Sequence, residues 1–116
     1  MTLDEYQKNA ITFDIMNDDS KPTSVLDAAY IAKILGLSGE AGEVTDKYKK
    51  IIRDKQGIVS AEDKMEIAKE LGDVLWYIAV ISKYLGVPLE EVAKFNIDKL
   101  SSRKSRGKMR GDGDNR

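Results

Sequence analysis

Residues 36–44, GLSGEAGEV, and residues 69–77, KELGDVLWY, carry one arrangement twice. In each, two acidic residues stand three positions apart beside glycine, inside a segment that is otherwise apolar. The pairs are Glu40 with Glu43 and Glu70 with Asp73. On a helix, that spacing puts two carboxylates one turn apart on the same face. The flanking residues support helices in both places. The first segment lies in a predicted helix from about Val25 to Arg53, with Val25, Ala29, Ala32, Leu35, Ile51 and Ile52 at apolar positions and a stop at Lys55, Gln56 and Gly57. The second follows Ser60-Ala-Glu-Asp63, which reads as a helix N-terminus with an acidic first turn. That helix carries Met65, Ile67, Leu71, Val74, Leu75, Ile78 and Ile81 and ends near Gly86.

Two more helices complete the reading. Thr2-Leu-Asp-Glu5 has the form of a capping box, followed by an apolar face of Leu3, Tyr6, Ala10 and Phe13; the stretch NDDSKPTS ends this helix at 17–24. Pro88 suits the first turn of a fourth helix, Leu89 to about Ser102. No period-two pattern marks a strand anywhere. The expectation is an all-α fold with a four-helix bundle-like core over residues 1–102. A basic, then Gly/Asp-rich tail follows at 103–116.

A chain of 116 residues makes one domain with a modest core. Its 41% apolar and 34% charged residues describe an ordinary globular protein. The net charge of −1 gives no reason to expect a nucleic-acid or membrane surface. There is no cysteine and no histidine, which excludes disulfides, thiolate chemistry, histidine triads and the usual zinc sites. Catalysis must use carboxylates, lysines, arginines, tyrosines or metals. With no signal-like or membrane-length apolar run, a cytoplasmic location is the expectation.

If the two acidic helices pack face to face, four carboxylates converge. At an effective dielectric of about 20, two like charges about 4 Å apart repel by roughly 4 kcal/mol. Hard divalent cations relieve that repulsion, and an all-oxygen ligand set favours Mg2+, with Mn2+ as a substitute. Either pair alone is also what an ordinary solvated helix face would carry. Gly36, Gly39, Gly42 and Gly72 tilt the balance, because each costs a helix interior about 1 kcal/mol relative to alanine. Close helix approach, or open room for a ligand, would explain them.

Other residues fall on the same faces. Lys47 and Lys50 share the side of Glu40 and Glu43, where they can meet phosphate or simply form surface ion pairs. Glu66 and Tyr77 fall near Glu70 and Asp73, with Trp76 at the edge. The two aromatics read as core or interface, with base stacking as the alternative. Asn96, Lys99 and Arg103 form one face of the fourth helix, suited either to phosphate or sugar contacts or to plain solvent exposure.

The chain resembles the MazG-like nucleoside triphosphate pyrophosphohydrolases. The resemblance rests on E-x-x-E at Glu40–Glu43, E-x-x-D at Glu70–Asp73, and the downstream phrase NIDKLSSR, and runs from EYQ at 5–7 to the C-terminal GDGDNR. It implies an all-α, Mg2+-dependent enzyme that cleaves a nucleoside triphosphate between its α and β phosphates, giving the monophosphate and pyrophosphate. Glu40, Glu43, Glu70 and Asp73 would be the metal ligands, and Asn96 and Lys99 match a substrate-contacting segment. Glu43 or Glu40 would take a proton from the attacking water. Gln7 and Trp76 are candidates for base recognition.

The resemblance also implies a homodimer or homotetramer. A physical motive points the same way: Leu35, Leu37, Val74, Trp76, Ile78, Val80 and Ile81 cannot all face the interior of one small bundle. The competing readings are an enzyme of the phosphoribosyl-ATP pyrophosphohydrolase type and a non-catalytic helical interaction protein. A pure scaffold has no need of clustered carboxylates.

Overall fold

The computed structural model describes residues 1–17 and 24–115. Four α-helices, α1 (Leu3–Ala10), α2 (Ala28–Lys55), α3 (Ala61–Tyr84) and α4 (Leu89–Ser105), follow one another, with a 3-10 turn over Ile11–Phe13. No strand occurs among the described residues. The all-helical expectation holds.

Local chemistry accounts for most of the boundaries. Thr2 and Glu5 form a reciprocal capping box at the start of α1, as do Ser60 and Asp63 at the start of α3. The end of α2 is set by Gln56 and Gly57, both left-handed, with the Gly57 N–H donating to the carbonyl of Ile51 at 3.2 Å. Three boundaries differ from the sequence expectation. The first helix stops at Ala10, well before residue 17, because the chain turns so that Asp14 reaches partners on α2 and α3. The second begins at Ala28, since residues 24–27 form a turn closed by the Asp27 N–H to the Ser24 carbonyl at 2.9 Å. The fourth continues past Ser102 to Ser105, with no breaker before Gly107 and with Arg103 and Lys104 favourably placed at its C-terminal end. Of the expected stop after the first helix, residues 18–23 lie outside the described residues.

α2 and α3 form a long antiparallel hairpin, pinned along its length by Tyr30 against Tyr84 (ring centroids 5.3 Å apart) and by the Lys55–Asp63 ion pair at 2.7 Å. At one end α1 and α4 pack on the C-terminal half of α3, burying Ala10, Ala79 and Leu89 among Leu3, Tyr6, Trp76, Ile78 and Val92. Gln7 ties this end together: its amide N–H donates to the Ala79 carbonyl at 3.0 Å and its carbonyl accepts the Leu89 N–H at 3.1 Å. Both ends of the Gln7 amide are therefore engaged within the core, and the residue is not the base-recognition group expected of it.

The four helices do not enclose a common core. Among the described helices α2 touches only α3. Of the seven apolar residues expected to overflow the interior, Val80 is fully buried and Leu37, Val74, Trp76, Ile78 and Ile81 are partly covered; Leu35 alone is strongly exposed, at 68%. Exposed apolar side chains are instead spread over α2 (Ile31, Ile34, Leu35, Tyr48 and Ile52), α3 (Met65 and Leu71) and α4 (Phe95 and Ile97).

Candidate metal centre

Midway along the hairpin, α2 presents Glu40 and α3 presents Glu70 and Asp73. One carboxylate oxygen from each lies within 4.8 Å of the other two. Glu40 and Glu70 are half-buried and Asp73 is exposed, so the group is open to solvent on one side. Burial, followed by the negative charges of Asp73, Glu70 and Glu43, raises the Glu40 pKa above its ordinary value. Glu43 is exposed and stands outside the group of three, yet close enough to act on Glu40. Three of the four expected carboxylates thus converge directly, with the fourth beside them.

The structure assigns the neighbouring cations to particular partners. Lys47 lies 3.3 Å from Glu70 and 3.5 Å from Glu66, bridging the two helices, and its pKa is raised chiefly by the hydrogen bond to Glu70. Lys50 pairs with Asp46 at 2.6 Å. Asp46 also takes Lys49, and its hydrogen bonds to both lysines lower its pKa to about 2. Lys47 and Lys50 line a hollow with Ile51, Asp54, Lys55, Asp63 and Glu66, next to the carboxylates and toward the hairpin tip.

The aromatic pair divides between two tasks. Trp76 donates its indole N–H to the Ala10 carbonyl at 2.9 Å, joining α1 to α3, and meets Tyr77 edge-on at 4.9 Å. Tyr77 lies against Gly36, where an added Cβ would come within 2.2 Å of its ring. Close approach therefore explains Gly36. It does not explain Gly39, Gly42 or Gly72, where a Cβ would meet nothing within 4 Å.

Sequence reasoning missed two parts of this neighbourhood. Tyr6 of α1 is near enough to the site for Asp73, after the larger effect of burial, to raise its phenol pKa. Lys33 is buried, 2.7 Å from the equally buried Asp14 carboxylate and 5.5 Å from the centre of the Trp76 ring. A signal for Lys33 existed. It sits seven positions before Glu40, on the same helical stripe as Tyr30, Leu37 and Val44.

The comparison with known families agrees with this architecture. Residues 30–107, from the first turn of α2 to just past α4, match the MazG nucleotide pyrophosphohydrolase domain. The chain belongs to the MazG family. Across all 116 residues, and the whole of the relative, it is 42% identical to the gene 37 protein of Mycobacterium phage L5. It is also 40% identical over 50 residues to the uncharacterized protein YvdC of Bacillus subtilis strain 168, covering 43% of this chain and 47% of that one. No solved structure matches it. No helix among the described residues is long and apolar enough to cross a membrane.

In this MazG chain, the remaining expected site residues lie on α4. Asn96 is exposed. Lys99 and Arg103 share a face as expected, but both hold the tail residue Asp114, at 3.1 Å each. Arg103 is buried and also donates to the carbonyls of Gly113 and Asp114. The tail thus folds back on α4 rather than extending into solvent.

Proposed function

We propose that this MazG protein is a divalent-metal-dependent nucleoside triphosphate pyrophosphohydrolase that releases the nucleoside monophosphate and pyrophosphate and serves nucleotide-pool housekeeping. The observation carrying this reading is the convergence of Glu40, Glu70 and Asp73 from two helices, with Glu43 one turn away. The donor set fits a hard divalent ion: it is all oxygen, like-charged, half-buried at Glu40 and Glu70, and, among the described residues, paired with Lys47 at Glu70. These four residues would hold the ion, which supplies positive charge at the phosphates and lowers the pKa of water.

The chain's own groups take the remaining roles. Glu40, whose proton affinity is already raised, is placed to accept a proton from the attacking water; Glu43 is the alternative acceptor. Water adds at the α phosphorus, the bond to the bridging oxygen breaks, and pyrophosphate leaves. Lys47 holds Glu70 in position, while Lys50 and Lys99, each in an exposed ion pair, exchange a carboxylate partner for substrate phosphate. Arg103 supports Lys99 from its buried position on α4.

A panel of canonical and modified nucleotides with Mg2+, read by phosphorus NMR in isotopically labelled water, tests the proposal. Monophosphate carrying the label, together with unlabelled pyrophosphate, is the expected result. Release of orthophosphate, label in pyrophosphate, or no turnover on any triphosphate overturns it.

A further inference from the structure

We infer that the C-terminal tail is an autoinhibitory strap: its Asp114 carboxylate occupies Lys99 and Arg103 in place of a phosphate group, and a triphosphate binds there by displacing it. The inference rests on the proposed pyrophosphohydrolase reading for the identity of the displacing ligand. The tail is shaped to return. The Lys108 N–H closes the end of α4 on the Arg103 carbonyl at 2.7 Å. Gly111 and Gly113, at φ 117° and 80°, then turn the chain back, in a backbone region that residues with a Cβ seldom enter. These turns bring the Asp114 carboxylate to 3.1 Å from both Lys99 and Arg103. A merely solvated tail needs none of this.

The fit of Asp114 in this cradle is incomplete, and the shortfall identifies what would replace it. Arg103 is only 6% exposed, although residues 94–98 of the same helix are all exposed. Its Nη2 donates to the Gly113 carbonyl, the Asp114 carbonyl and the Asp114 carboxylate, at 3.1, 3.0 and 3.1 Å. Its buried Nε donates to nothing among the described residues. Three acceptors thus crowd one nitrogen while the neighbouring donor is orphaned, and a buried donor without an acceptor is unfavourable. The guanidinium fork is spaced to hold two oxygens of one group. A phosphate group can take Nε and Nη2 together and present a further oxygen to Lys99. Charge points to the same class of ligand: two cations face one carboxylate that is itself 80% exposed, which leaves room for the second negative charge of a terminal phosphate. Hydrogen bonds from Lys99, then Arg103, lower the Asp114 pKa, so the competitor is an anion at neutral pH. An exposed ion pair is a weak latch, suited to giving way.

Calorimetric titration with inorganic triphosphate, without metal, tests the strap independently of turnover. Asp114→Asn, and a chain ending at Arg110, should each bind about fivefold more tightly than wild type. Apparent affinity scales with the fraction of molecules whose site is open, and an exposed pair holds the strap shut by no more than a few-fold. Asp112→Asn makes the same change of charge two residues away and should leave affinity unaltered. In the wild type, nitrogen-15 relaxation should find the Gly111 and Gly113 amides ordered in the free protein and released as triphosphate saturates. Unchanged or weaker binding in Asp114→Asn or the shortened chain overturns the inference. So does an equal gain in Asp112→Asn, a tail that stays ordered at saturation, or no binding by any of these proteins. Tighter binding in Asp114→Asn and a released tail, in a protein that turns over no nucleotide, would instead overturn the proposed function and leave the strap standing.

Discussion

The same pair of helices carries two groups of charged side chains that obey opposite rules. Near the closed end, Asp14 and Lys33 form a neutral, buried pair, with Tyr84 and the Met16 N–H supplying further hydrogen bonds to the carboxylate. Farther along, Glu40, Glu70 and Asp73 bring three like charges together at a half-open surface, where Lys47 offsets only part of them. The first group is complete within the chain and locks the N-terminal segment onto α2 and α3. The second is left with surplus negative charge, which the proposed divalent ion would offset.

Removing one carboxylate from the open group should have the largest effect, and on catalysis alone. Asp73→Asn should lower pyrophosphate release by roughly three orders of magnitude, because a metal-binding charge is lost while shape is kept. Thermal melting without metal should show equal or higher stability, since repulsion falls. Near-normal Mg2+-dependent turnover would erase the contrast between the two groups.

The closed group should respond the other way. Lys33→Met leaves Asp14 buried without its cation and should destabilise the fold by about 3–5 kcal/mol, read by denaturant titration. Adding Asp14→Asn should recover part of the loss. A single variant as stable as wild type would mean that the pair does not lock the segment.

Acid titration of stability sharpens the comparison, because the two groups shift in opposite directions. Burial pushes the Asp14 carboxyl up, but the hydrogen bonds from Lys33, Tyr84 and Met16 outweigh it and leave its folded pKa below the unfolded value. Its contribution is therefore present above the ordinary carboxylate range and is lost as pH falls through the lowered value. Glu40 has a raised folded pKa, so its repulsion eases as pH falls through that value and the folded state gains. Without metal, stability should hold or rise on mild acidification before it collapses. Glu40→Gln should remove the early gain and Asp14→Asn should reshape the late loss; a wild-type curve in either variant would contradict the assignment.

The smallest effect is expected at Lys50. Its exposed pair with Asp46 contributes at most about 1 kcal/mol to folding, so Lys50→Ala should melt much like wild type. If Lys50 meets phosphate, the variant should lose roughly tenfold or more in kcat/KM through KM, the worth of one charge-assisted contact. An unchanged KM returns Lys50 to the surface.

Helix existence was legible because it is written locally. Apolar periodicity located α1, α2 and α3, Pro88 marked the start of α4, and the capping box at Thr2 and the N-terminal signal at Ser60 fixed two starts to the residue. The early end of α1 was not legible, because it depends on Asp14 finding Lys33 and Tyr84 across the fold. The carboxylate site was legible from spacing, since i, i+3 pairs on adjacent helices can converge without knowledge of the loops. The engagement of Gln7 and Trp76 in the core was hidden for the same reason as Asp14: their partners, Ala79 and Leu89 for one and Ala10 for the other, are distant in the chain. Glycine was only half-readable. Gly36 and Gly42 look alike in sequence, yet one faces Tyr77 and the other faces open space.

The way Gln7 and Asp4 bind has a consequence for how the chain acquires its fold. Gln7 grips the Leu89 N–H and Asp4 grips the Glu90 N–H, contacts that span 82 and 86 positions. The α2–α3 hairpin, by contrast, closes across a five-residue turn at 56–60. Loop closure favours the hairpin first, on a faster timescale. Pulse-labelled hydrogen exchange during refolding should find α2 and α3 amides protected ahead of those in α1. On the ribosome, the segment made first is the one used last: α1 must wait, unclaimed, until the start of α4 has emerged to receive it.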